Sequence, residues 1–157
     1  MPYTSAPGAA ALGVRQSAHI GMSEEEFIQI AEGEWARIPE RFRARVKNVA
    51  LLVEDDVDDE IRAQEGLEKG ESLLGLYQGI PLTERGSEYG VGMTLPDTIT
   101  LYRLPILEEA EEMDRAFRDA VRIVIRETIW HEVGHYFGLD EHGINEREGD
   151  ETNRFEC

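Results

Sequence analysis

From Glu108 to Ile129 the chain repeats apolar residues at the period of an α-helix. Ala110, Met113, Phe117, Ala120, Val121, Val124 and Thr128 form one stripe, and Ile125 and Ile129 widen it. A stripe of that width is stable only against another layer, so the fold must supply a second element to cover it. No glycine or proline interrupts the segment before Gly134, which predicts one long helix or two with a short break. Glu111 with Arg115 and Asp114 with Arg118 stand four apart, the spacing of ion pairs on an exposed helical face.

The stripe runs directly into Trp130-His-Glu-Val-Gly-His-Tyr-Phe-Gly-Leu-Asp-Glu-His142, which holds three of the four histidines. His131 and His135 are four apart, so on a helix their imidazoles lie one turn apart on the same face and can converge on one metal ion. Glu132 is rotated by about 100° from His131, which brings its carboxylate beside the metal without making it a ligand. Nitrogen and oxygen donors suit zinc, and a catalytic zinc keeps one position for water, so a third protein ligand is required. Gly138 is a natural helix terminator in the left-handed conformation. Counting three residues past it places the third ligand on Glu141, with Asp140 and His142 as the neighbours that compete for the role.

The rest of the chain reads as a small soluble domain. Ser23 and Glu26 form a capping box before Phe27, Ile30, Ala31, Trp35 and Ile38, an amphipathic helix that Pro39 interrupts. "ERFRAR" then adds a helical turn or two. Val46–Val53 is dense in β-branched and aliphatic residues and predicts a strand. The acidic run Glu54–Glu60 lacks the glycine and glutamate of a calcium-binding EF-hand loop and reads as a solvated loop. "LLGLYQGIPLTERG" suggests a strand and a turn. "DTITLYRLP" predicts a strand with Ile99 and Leu101 on one face and Thr98, Thr100 and Tyr102 on the other, closed by Pro105. Residues 1–21 read as a flexible arm without the basic start of a secretory signal, and residues 143–157 as an acidic polar tail. The domain proper is 22–142.

Composition narrows the classes of partner. A formal net charge of -17 over 157 residues disfavours nucleic acid and anionic membranes, which require concentrated Lys and Arg. The only cysteine is Cys157, so no disulfide can form within the chain, in keeping with a cytoplasmic setting. No apolar run reaches the length of a membrane span.

"HEVGHYFGLDE", with "LLGLYQGIPLTERG" and "PDTITLYR" upstream, resembles the small bacterial zincin-like metallopeptidases, or minimal zincins, over roughly Met22 to His142. The resemblance implies an α+β fold, with a small mixed β-sheet packed against an active-site helix and an N-terminal helix. It maps the pattern H-E-x-x-H-x-x-G-x-x-D onto His131, Glu132, His135, Gly138 and Glu141, with glutamate where aspartate is usual and His142 as a substitute. All four methionines lie at or before Met113 and no tyrosine follows Tyr136, so the methionine turn and the downstream tyrosine donor of the larger metzincins are missing. The reading that follows is a Zn2+-dependent peptidase acting on a peptide or protein. His131, His135 and Glu141 hold the metal, Glu132 is the general base, and an extended substrate pairs with the strand "DTITLYR". The alternative is a metal-binding interaction module that cleaves nothing.

Overall fold

A computed structural model describes residues 22–81, 84–86 and 95–138. The arm at 1–21, the tail at 143–157 and Glu141 lie outside the described residues. The chain is α+β. Helix α1 (Glu24–Ala36) and the short α2 (Glu40–Arg43) precede strand β1 (Val49–Glu54) and helix α3 (Asp59–Gln64). Strands β2 (Gly75–Gln78) and β3 (Asp97–Tyr102) follow, then helices α4 (Arg103–Glu111) and α5 (Phe117–Tyr136).

The capping residue read from sequence starts α1: Ser23 Oγ accepts from the Glu26 amide at 3.1 Å. Strand β1 begins later than its aliphatic run, because Asn48 adopts a left-handed backbone with φ of 60° that no strand residue can hold. The acidic run is partly helical. Asp58 caps α3 by accepting from the Ile61 amide at 2.8 Å, which gives a short polar helix a defined start. Pro105 does not close β3 but sits in the first turn of α4, where a missing N–H leaves no hydrogen bond unmade.

The long apolar stripe is divided between two helices, with a break at residues 112–116. No side chain caps the start of α5, so nothing in the local sequence marks that break. Tertiary packing makes it, folding the buried Ile106, Leu107 and Ala110 of α4 back beside Val121, Val124 and Ile125 of α5. Asp114 and Arg115, expected to pair along one helix, fall in that break, and Arg118 reaches across to Glu26 of α1.

The sheet has the order β1-β3-β2, with β1 parallel and β2 antiparallel to β3. β3 is therefore central, and the alternation of its side chains is as expected. Ile99 and Leu101 enter the main core with Phe27, Ile30 and Ala31 of α1 and Ile125, Ile129 and Val133 of α5. Tyr102 points to the other face, which Leu73 and Leu76 cover together with Val57, Ile61 and Leu67. At one end of the core Phe42 packs edge-to-face on Trp130, with ring centroids 5.2 Å apart, closing α2 over α5.

Candidate metal centre

The last turns of α5 are enclosed on nearly every side, and every residue from Thr128 to Gly134 is buried. His131 is 1% exposed and Glu132 is fully buried, whereas His135 is only partly covered. The two imidazoles stand on one helical face with ring centroids 5.3 Å apart and planes at 69°. Two imidazoles on one tetrahedral zinc, each bound at about 2.05 Å, would have centroids roughly 5.2 Å apart. The separation fits a shared metal ion. After Tyr136 the helix ends as the sequence suggested: the Phe137 amide donates to Val133 O at 3.1 Å and the Gly138 amide to His135 O at 2.9 Å. Gly138 has φ of 83°, the left-handed conformation that commonly follows a helix end. Among the described residues no group of three or more His, Cys, Asp or Glu could hold a metal ion. Glu141, Asp140 and His142, the sequence candidates for a third ligand, lie outside the described residues.

Glu132 is fixed by a strand. Its Oε2 accepts from the backbone N–H of Tyr77 at 2.9 Å. In an antiparallel ladder the polar groups of successive residues face opposite ways, and Leu74 O accepts from Tyr102 of β3. Gly75 and Tyr77 therefore turn their backbone groups to the outer edge of β2, toward α5. The approach is close enough to require glycine: a Cβ at Gly75 would lie 2.6 Å from Thr128 Cγ2 and 3.4 Å from Glu132 Cγ. This corrects the expectation for "DTITLYR". β3 is flanked on both sides and has no edge to offer a peptide, and the strand beside the candidate base is β2.

A family model for zincin-like metallopeptidases matches residues 46–150, about two thirds of the chain. The chain belongs to that family. None of the curated proteins compared with it matches. Membership in the zincin-like family accounts for the small mixed sheet lying against a helix that carries paired histidines. Among the described residues of this zincin-like protein, no helix is long and apolar enough to cross a membrane.

A second polar cluster, not evident from the sequence, joins β2 and β3 to Tyr136 of α5. Asp97, 4% exposed, accepts at Oδ2 from the Tyr77 hydroxyl at 2.5 Å and from Arg85 Nη2 at 2.7 Å, and at Oδ1 from the Ile80 amide at 3.3 Å. Arg85 also donates through Nε to Ile80 O at 2.9 Å and through Nη1 to the Tyr136 hydroxyl at 3.2 Å. The Tyr136 hydroxyl in turn accepts from the Lys47 amide and donates to Arg45 O, both at 3.1 Å. Burial and the neighbouring Asp97 push the Tyr77 phenol well above its usual range, with Arg85 opposing in part, so it stays protonated and keeps donating. The only sequence signal for this cluster was that Tyr77, Arg85 and Asp97 fall in the two upstream stretches that carried the family resemblance.

Proposed function

We propose that the protein is a zinc-dependent peptidase. The observation that carries this reading is a buried carboxylate, Glu132, held by a strand amide next to two imidazoles spaced for one metal ion. His131 and His135 would hold zinc, with Glu141 as the third ligand. Zinc, when bound, lowers the pKa of a water toward about 7 and polarises a carbonyl. Glu132 takes the proton from the attacking water on its carboxylate and delivers it to the departing amine nitrogen. The Tyr77 amide keeps that carboxylate from rotating away, so the base is oriented before substrate arrives. The substrate is an extended peptide or protein segment that lies beside β2 while the Tyr77 amide stays on Glu132. The setting is cytoplasmic, in keeping with the lone Cys157.

The test is zinc-loaded protein against a mixed peptide library, with Glu132→Gln alongside. Cleavage by the wild type and its loss in the variant, with zinc content equal in both, is the expected result. Absence of cleavage by either protein would leave the interaction module as the better description, and a zinc-free variant would make Glu132 a ligand.

A further inference from the structure

We infer that the buried Asp97–Arg85 pair positions the carboxylate of Glu132, acting through Tyr77. The inference rests on the hydrolytic role proposed for Glu132. Tyr77 is bound at both ends. Its phenol donates to Asp97 at 2.5 Å and its backbone N–H donates to Glu132 at 2.9 Å. The location of Asp97 thus sets where the Tyr77 amide lies, and the amide sets where Glu132 points.

The pair also reaches the helix that carries the histidines. Arg85 Nη1 donates to Tyr136, the residue after His135, and the guanidinium lies over the Tyr136 ring at 4.8 Å from its centroid. The rings of Tyr77 and Tyr136 meet edge-to-face at 6.2 Å. One ion pair therefore ties β2 to the last turn of α5, the two elements whose separation determines the Tyr77–Glu132 bond. The chain makes room for it: a Cβ at Gly79 would lie 2.2 Å from Asp97 Cγ.

Stability alone is a poor reason for this arrangement. Taking a carboxylate and a guanidinium out of water is costly, and a buried pair is weak support for a fold. With side-chain exposures of 8% for Arg85 and 4% for Asp97, the cost of burying both charges is nearly complete. A directional hold is what such a pair offers that an apolar filling does not. Arg85 and Asp97 face Tyr77, Tyr136 and the backbone of Ile80, and each of these belongs to, or adjoins, an element touching the site.

Amide hydrogen exchange on the full chain tests the link without relying on catalysis. Tyr77→Phe removes only the phenol oxygen, and Asp97→Asn removes the charge with little change of shape. Both should speed exchange of the residue-77 amide by about tenfold or more, toward the rate in Glu132→Ala, while Leu76, facing Thr100 in the ladder, changes by less than about threefold. Glu34→Gln, a perturbation between α1 and α5 far from this cluster, should leave the ratio of the two rates unchanged. With a cleaved peptide in hand, kcat should fall by about tenfold or more in both variants at a KM within about threefold, because the lost orientation acts on the chemical step. An unchanged residue-77 amide in both variants would overturn the inference, as would a joint rise at residues 76 and 77. A wild type that cleaves nothing would sink the peptidase reading, yet the exchange ratio would still decide whether Asp97 controls the Tyr77–Glu132 bond.

Discussion

Replacing Glu34 by Gln should destabilise the protein at neutral pH and change how its stability depends on acid. Glu34 lies on α1 facing α5, and the residue is 2% exposed. Its carboxylate accepts from Arg126 Nε at 3.0 Å, Arg122 Nε at 3.1 Å and Arg37 Nη1 at 3.4 Å. A hydrogen bond to a charged group is worth about 1.5–3 kcal/mol, and breaking a fully buried pair costs about 3–5 kcal/mol. The three arginines keep 21%, 42% and 25% of their side-chain surface in water, so they rehydrate when the acid is gone and the cost falls to the low end. Gln retains one acceptor but turns an NH2 toward a guanidinium, so about 2–3 kcal/mol is expected. At about 2–4 °C per kcal/mol for a chain of this size, Tm should drop by roughly 4–12 °C. Burial pushes the Glu34 carboxyl up, but the bonds from Arg126 and Arg122 outweigh it and hold the group below its ordinary value of 4.5. Its contribution is therefore present above pH 4.5 and is lost as pH falls through the lowered value. Urea titrations of both proteins at pH 7 and at successive steps below 4.5 should show a gap that narrows with acid. A gap under about 1 kcal/mol at pH 7, or one that does not respond to pH, would refute the assignment of a paired, ionised Glu34.

Other perturbations read different parts of the molecule. Gly75→Ala puts a methyl about 1 Å inside normal carbon contact with Thr128. It should cost about 1–3 kcal/mol by urea titration and lower peptidase activity by more than that loss of folded protein explains, since β2 must retreat from Glu132. Glu109→Gln should raise Tm at pH 7 and do little at pH 4: burial, with the charge of Glu112 added, pushes the Glu109 carboxyl above its usual range, so its ionisation opposes folding as pH rises. Glu141→Ala should weaken zinc binding by more than about tenfold in a chelator competition and His142→Ala by much less; the reverse order would make the third ligand a histidine.

Much of the framework was legible because it depends on local rules. The Ser23 cap, the stripe on α5 and the alternation of Ile99 and Leu101 against Tyr102 follow from short-range periodicity, and the helical pairing of His131 with His135 rests on the same rule. What escaped the reading is non-local. The chain order β1, β2, β3 does not reveal that β3 lies in the middle, so from sequence alone the strand nearest the histidine helix looks like the one beside the cleft. Nothing in the sequence tells that the lack of a side chain at Gly75 serves close approach to Thr128, a residue far along the chain. The break at residues 112–116 has no cap, glycine or proline to announce it. Asp97 and Arg85 look like ordinary surface charges in a chain that is 31% charged, and only the fold shows them buried together.

The bond between Tyr77 and Glu132 has a consequence for self-association. An edge strand offers unpaired amides to any extended chain it meets, and proteins that leave such an edge open risk stacking on copies of themselves. β2 is four residues long, and one of its outward amides is occupied by a carboxylate, which accepts hydrogen bonds but offers none to a neighbouring strand. A stray strand that docks here must displace a buried acid and gains few rungs in return. The residue proposed as the general base thus also discourages indiscriminate pairing along β2.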